Sequence, residues 1–158
     1  MKLNLGCGGD FRPGWLNVDC RRLFPESAEF LCCDLMDLDG HVEDGSVSEM
    51  VAQDVLACIP WRELDPLFTV LGKKLRSDGV LFLRVPDGRQ IARALLEKAL
   101  PHDEAQRILY GSQAYREDTH RSLWSAAEVQ RRLDMVGLQV ERLEHRDGML
   151  LAWGRRTV

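Results

Sequence analysis

The sequence predicts one α/β domain: a mainly parallel sheet, helices between its later strands, and an antiparallel hairpin at its end. Three observations predict it. Short apolar runs in the first half each stop at a glycine or an acid. Helical and strand patterns alternate through the second half. Two closing apolar runs are joined by a connection so short that it demands an antiparallel pair. The 158 residues fit a single domain, and 45% hydrophobic with 29% charged residues is an ordinary globular balance.

The elements follow in order. Lys2 to Leu5 is a first strand that stops at Gly6-Cys7-Gly8-Gly9. Trp15 to Val18 is the second, ending at Asp19. Between them, Asp10-Phe11-Arg12-Pro13-Gly14 is too short for a crossover helix. Phe30 to Cys33 is the third, followed by Asp34, and Asp37-Leu38-Asp39-Gly40 reads as a turn. Val47 to Val51 is the fourth. Leu64, Leu67, Phe68, Leu71 and Leu75 keep a helical rhythm, with Lys73, Lys74 and Arg76 in the last turns, and Asp78-Gly79 ends that helix. Val80 to Leu83 is continuously apolar, the pattern of a strand covered on both faces, and Pro86-Asp87-Gly88 stops it. Ile91 to Leu100 and Asp103 to Tyr110 read as helices. Gly111 to Arg121 is polar and reads as a loop or lid over a site. Ser125 with Glu128 forms a capping box, Val129, Leu133 and Val136 line the buried stripe that follows, and Gly137 closes the helix. Leu138 to Leu143 and Met149 to Trp153, joined through Arg146-Asp147-Gly148, make the hairpin.

Composition excludes several classes. Formal net charge is -4, and the basic residues are mixed with acids throughout, so no nucleic-acid partner is indicated. No apolar stretch reaches the roughly 18 residues of a membrane-spanning helix. The first residues lack the apolar run of a secretory signal, so the expected location is the cytoplasm. Cysteines at 7, 20, 32, 33 and 58 are odd in number and irregular in spacing, the pattern of free thiols in a reducing compartment. Cys7, Cys20 and the Cys32-Cys33 pair lack metal-ligand spacing, and no metal site is expected.

Leu3-Asn4-Leu5-Gly6-Cys7-Gly8 is the sharpest local signal. Glycine permits a tight turn and a close ligand approach. Alone, GxG is equally a turn with no ligand. The third glycine of GxGxxG is missing and the first acid, Asp19, comes early, which disfavours a nicotinamide site. Ligands of an open parallel sheet bind outside the carboxyl ends of its strands. Asp19 and Asp34 both stand at such ends. One carboxylate can accept from a ribose diol and the other from an exocyclic amine, with Trp15 or Leu35 flanking a flat base.

This ordered series resembles the class I S-adenosylmethionine-dependent methyltransferases. It is most similar to small members that open with Leu-Asn-Leu-Gly-Cys-Gly and soon reach Gly-Trp-Leu-Asn-Val-Asp, here Leu3 to Gly8 and Gly14 to Asp19. The likeness extends through Asp34-Leu35, Val51 to Pro60, Gly79 to Asp87, Tyr110 to Trp124 and the final hairpin. The resemblance implies a Rossmann-like, seven-stranded, mostly parallel sheet of order 3-2-1-4-5-7-6, strand 7 antiparallel and the N-terminal helices reduced. It implies S-adenosylmethionine as cofactor, with Gly6, Cys7 and Gly8 against the methionine part. By the same resemblance Asp19 would take the ribose hydroxyls and Asp34 the adenine amine, with Leu35 beside the ring, while Gln53 and Asp54 can still reach the pocket mouth.

One segment departs from that family. Its histidine-valine-leucine-glutamate-histidine pattern is replaced by Asp54-Val55-Leu56-Ala57-Cys58, which puts the usual acceptor chemistry in doubt. Methyl transfer needs an aligned nucleophile and, for a neutral acceptor, a proton acceptor. Asp54 can orient or deprotonate the acceptor, or simply start a turn. His120, in the polar loop, can act as base or bind an anion. Arg84 can meet a substrate anion or pair with Asp87. His41, His102 and His145 carry no assignment, and the tryptophans read as packing. The leading expectation is a methyltransferase acting on a small molecule or an exposed group, with a homodimer partner closing an open pocket. The alternatives are a donor-binding protein without independent catalysis and a nucleotide-dependent oxidoreductase.

Overall fold

A computed structural model describes residues 1–157. Its strands are β1 (Lys2–Leu5), β2 (Leu16–Asp19), β3 (Phe30–Cys32), β4 (Val47–Gln53), β5 (Leu75–Pro86), β6 (Leu138–Arg146) and β7 (Met149–Arg156). They form one sheet in the order 3-2-1-4-5-7-6, parallel except for β7, which runs antiparallel to both neighbours. The helices are α1 (Leu64–Lys74), α2 (Gly88–Leu96), α3 (His102–Tyr110) and α4 (Ala126–Met135). The expected order and the antiparallel seventh strand are both present.

Strand alternation decides where the core lies. Leu3, Leu5, Met50, Ala52, Leu81, Leu83, Leu150 and Ala152 point to one side of the sheet and are buried. The apolar stripes of α1 and α4 cover them, through Leu67, Phe68, Leu71, Val129 and Leu133. The opposite side is different. There the register aligns Asn17, Asn4, Val51, Phe82, Trp153 and Arg142 in a single row across six strands. Phe82 and Trp153 are only half-buried, with ring centroids 4.8 Å apart. Cations rather than a helix lie over the aromatic rings of this face: Arg142 over Trp153, and Lys2 and Arg12 over the neighbouring Trp15. The expectation that Val80 to Leu83 is covered on both faces is therefore corrected. Residues 6–15 and 20–29 connect the first three strands without any helix.

Asn17 replaces the missing helix as the tie between β1 and β2. It is 0% exposed. Its Oδ1 accepts from Asn4 Nδ2 (3.0 Å) and from the Arg12 amide (2.9 Å). Its Nδ2 donates to the carbonyls of Arg12 (3.0 Å), Trp15 (3.0 Å) and Glu29 (3.3 Å). Asn4 Nδ2 also donates to the Asp10 carbonyl. Buried loop backbone thus finds partners that a crossover helix would otherwise make unnecessary.

Other boundaries shift for local reasons. α1 ends at Lys74 because Leu75 turns extended and pairs with Val47, so β5 begins before Asp78-Gly79. Asp78 takes a left-handed φ of 62° inside that strand. Asp87 caps α2 by accepting from the Arg89 and Gln90 amides, which starts that helix at Gly88 and ends it at Leu96. The 37–40 turn belongs to a 3₁₀ helix over Leu35–Gly40. Only half of the capping box forms: Ser125 Oγ accepts from the Glu128 amide, while the Glu128 carboxylate engages Arg132.

Replacing Asn17 with Leu leaves the Arg12 amide without its acceptor and removes one partner each from the Asn4 amide, which keeps the Asp10 carbonyl, and from the Arg12, Trp15 and Glu29 carbonyls. With a buried unsatisfied group costing about 1–3 kcal/mol, the variant should lose about that much. Urea unfolding should show a lower midpoint with an unchanged slope.

Candidate active site

The glycine loop leaves β1 with left-handed backbone at Gly6 (φ 61°) and Gly8 (φ 51°). The two glycines serve different ends. A Cβ on Gly6 would lie 2.2 Å from Val55 Cγ2, so the space goes to a side chain of the protein. A Cβ on Gly8 would meet only Arg21 Nη2, at 3.9 Å. Gly8 is the glycine that a ligand can approach. Cys7 is buried, does not line the cleft, and has its thiol pushed up to about 11 chiefly by burial.

Asp19 ends β2 directly opposite this loop. Its Oδ2 accepts from the Gly8 amide at 2.9 Å. Its Oδ1 accepts from Arg21 at both the backbone amide (2.9 Å) and Nε (3.2 Å). The side chain is 7% exposed. A carboxylate has about four acceptor positions, so Oδ2 retains one for a ligand. Asp34 caps the 3₁₀ helix through Oδ1, which accepts from the Met36 amide at 2.9 Å and leaves Oδ2 outside the cap. Leu35 is buried beside it and lines the same cleft.

The cleft encloses about 340 Å³ at the carboxyl ends of β1, β2 and β4. Gly6, Gly8, Asp19, Asp34, Leu35 and Asp54 all line it. The polar loop before α4 forms its roof, as expected of a lid. Tyr115 stacks on the Arg21 guanidinium, 3.8 Å from the ring centroid, over the Asp19 side of the cleft. Asp19, Asp34, Asp54, Glu63, Glu117 and Asp118 face Arg21, Arg116 and Arg121 in the lining, an acidic excess that favours a cationic ligand.

Asp54 adopts a left-handed φ of 60° just past β4. Both of its oxygens are gripped by Arg84, with Nε to Oδ1 at 2.7 Å and Nη2 to Oδ2. This fork raises the Arg84 guanidinium further above its ordinary value. Arg84 therefore pairs with Asp54 and not with Asp87, because the register sets Arg84 opposite Gln53. Asp87 is buried and receives His145 Nδ1 at 2.8 Å, so that histidine has a structural partner. Gln53 does not line the cleft.

His120 also lies outside the lining, with Nδ1 2.9 Å from the Ile108 carbonyl. It nevertheless stands beside a residue that does line it. The Ala57 carbonyl accepts from the Arg121 amide (2.7 Å) and the Ser122 amide (3.2 Å), stapling the roof to the 3₁₀ turn Leu56–Cys58. Ser122 Oγ adds bonds to Leu56 and Ala57, and itself accepts from Trp124 Nε1. Through this staple, Cys58, Asp118 and His120 present ligand atoms within 4.8 Å of one another. The Cys58 thiol is pushed up to about 11, first by burial and then by Asp118. Sequence reasoning missed Val55, Arg21 and Tyr115, whose roles arise only from the contacts that the fold creates. Trp124 is core, as expected, whereas Trp61 is exposed.

No family model matches the sequence, and no curated protein matches it either. Solved structures do match. A methyltransferase from Methanosarcina mazei, S-adenosylmethionine-dependent, is 14% identical with a TM-score of 0.68, over 99% of this chain and 92% of that one. One of the same activity from Archaeoglobus fulgidus is 11% identical with a TM-score of 0.67, over 98% and 85%. The 1,6-didemethyltoxoflavin-N1-methyltransferase of Burkholderia thailandensis, solved with S-adenosylhomocysteine bound, is 14% identical with a TM-score of 0.65, over 99% and 71%. The chain shares its fold with these methyltransferases. At these identities, the likeness to these methyltransferases concerns the fold alone.

Gly6→Ala should destabilise the protein by about 2–5 kcal/mol, combining about 1–2 kcal/mol for left-handed backbone with about 1–3 kcal/mol of overpacking on Val55. Gly8→Ala should cost only the backbone part. Adding Val55→Ala to Gly6→Ala should relieve the clash, so denaturation of the four chains in a double-mutant cycle should show strong coupling.

Proposed function

We propose that the protein transfers a methyl group from S-adenosylmethionine to a small molecule or an exposed acceptor group. The observation that carries this reading is Asp19: a nearly buried carboxylate at the end of β2, fixed by the Gly8 amide and Arg21, with acceptor capacity left beside the cleft. A ribose diol matches that capacity. Asp34 would accept from the adenine amine through Oδ2, with Leu35 against the ring. Gly6 and Gly8 would bring backbone to the methionine part, and Cys7 would shape that loop from the core side. The acidic excess of the cleft suits a sulfonium donor. When bound, the donor supplies an already activated methyl group, so the protein's task is alignment.

Asp54 would position the acceptor rather than take its proton, because Arg84 occupies both carboxylate oxygens. His120 would manage the acceptor end beside Cys58. Gln53, outside the lining, would act at most on the pocket mouth. The Asp54–Arg84 lock also favours a second reading, donor binding without independent turnover.

Calorimetry should show one S-adenosylhomocysteine bound per chain. Hydrogen bonds to a charged group contribute about 1.5–3 kcal/mol, so Asp19→Ala should weaken binding by about 10–100-fold with the fold intact by circular dichroism. Binding of a nicotinamide cofactor and not of S-adenosylhomocysteine would reject the proposal. Release of S-adenosylhomocysteine across a panel of acceptors separates turnover from binding alone.

A further inference from the structure

We propose that Cys58, Asp118 and His120 form a binding site for a borderline-soft divalent cation, Zn²⁺ by donor chemistry, on the wall of the same cleft. A sulfur, a carboxylate oxygen and an imidazole nitrogen converge within 4.8 Å of one another, from two loops far apart in sequence. This is a mixed set of the kind zinc prefers, with three protein donors and a fourth position left open. Tetrahedral zinc with bonds of about 2.0–2.3 Å sets its ligands roughly 3.3–3.8 Å apart, so contraction on the order of 1 Å completes the geometry.

The surroundings already have the form of an outer shell. His120 Nδ1 lies 2.9 Å from the Ile108 carbonyl, which fixes Nδ1–H as donor and leaves Nε2 with its lone pair for a metal. Asp118 Oδ2 accepts from Ser112 Oγ, which orients that carboxylate. The backbone is fixed on both sides. The Ala57 carbonyl holds the Arg121 and Ser122 amides, and the Tyr110 carbonyl accepts from the His120 amide at 3.0 Å. Gly111 allows the chain to pass so close to Asp118 that a Cβ there would lie 2.4 Å from the Asp118 carbonyl oxygen. Such bracing predisposes the three donors to one point.

Because Cys58 and Asp118 line the cleft, the open position gives onto it. An acceptor carrying a thiol or hydroxyl fits there, and His120 then serves as a ligand instead of a base. The assignment of the acceptor rests on the methyl-transfer reading; the metal site does not.

The test uses the chelator-stripped full chain with no methyl donor present, so failure here leaves donor binding standing and the converse also holds. Zn²⁺ titrated against a chromophoric chelator should bind one ion per chain. Loss of even an outer-shell partner costs about 10–100-fold in metal affinity, so Cys58→Ser and His120→Gln should each weaken binding by at least about 100-fold. Cys32→Ser, at an exposed cysteine outside the cleft, should bind as the unaltered chain does. Co²⁺ in the unaltered protein should give a thiolate-to-metal charge-transfer band that Cys58→Ser abolishes. A folded protein that shows no such band, or unchanged Zn²⁺ affinity in Cys58→Ser, overturns the proposal. The Co²⁺ spectrum of the unaltered protein decides even where a variant fails to fold.

Discussion

The buried amide of Asn17 is the interaction on which the architecture depends. A parallel pair of strands normally needs a long crossover, and its helix both spans the distance and satisfies its own backbone. Residues 6–15 are too few for that. Their carbonyls and amides would be left beside a buried strand without partners. Asn17 and Asn4 resolve this, set side by side in the register of β1 and β2: the Asn17 amide both donates and accepts, and the Asn4 amide donates to Asn17 and to the Asp10 carbonyl. The connection stays short, the strand ends stay aligned, and Asp19 comes within 2.9 Å of the Gly8 amide. The geometry of this edge of the cleft is thus a consequence of a structural hydrogen-bond network.

The same economy removes a layer. A doubly wound sheet usually buries both faces under helices. Here α1 and α4 serve one face, and the other is sealed at the first strands by Asn4 and Asn17 and left half-open at Phe82 and Trp153. Aromatic rings with cations stacked on them suit a surface that must be apolar below and wet above. Lys2, Arg12 and Arg142 stack there while each also pairs with a carboxylate, Glu49, Asp10 and Glu144 respectively.

The mainly parallel sheet and its closing antiparallel hairpin were legible because short-range signals set them, whereas the strand order followed from the family resemblance. The early acids, the lack of room for a helix after β1, and the turn at Arg146-Asp147-Gly148 all act locally. The coverage of β5 was not. Val80-Leu81-Phe82-Leu83 reads the same whether its second face meets a helix or solvent, and only the register reveals Phe82 beside Trp153. The site divides in the same way. Gly6, Gly8, Asp19, Asp34, Leu35 and Asp54 line one cleft because strand ends converge by rule. Cys7 and Gln53 fall outside the lining, since alternation along a strand or loop sends neighbouring side chains to different sides. The meeting of His120 with Cys58 depends on a carbonyl, Ala57, that no side-chain pattern announces.

The segment from Asp54 to Cys58 joins these parts mechanically. Asp54 is turned left-handed and locked to Arg84 at the end of β5. Val55 occupies the place of a Cβ on Gly6, so it presses directly on the glycine loop. Ala57 carries the roof, and Cys58 meets Asp118 and His120. A change of side chain in this turn therefore acts on the glycine loop and on the roof of the cleft together. That coupling gives physical meaning to the departure from the related pattern. Where the pattern that the sequence resembles has histidines, Asp54 and Cys58 stand on either side of Val55, and it is Val55 that packs on the glycine loop. What changes is the chemistry on either side of it: an ion pair neutralises one side, and a thiol joins an imidazole and a carboxylate on the other.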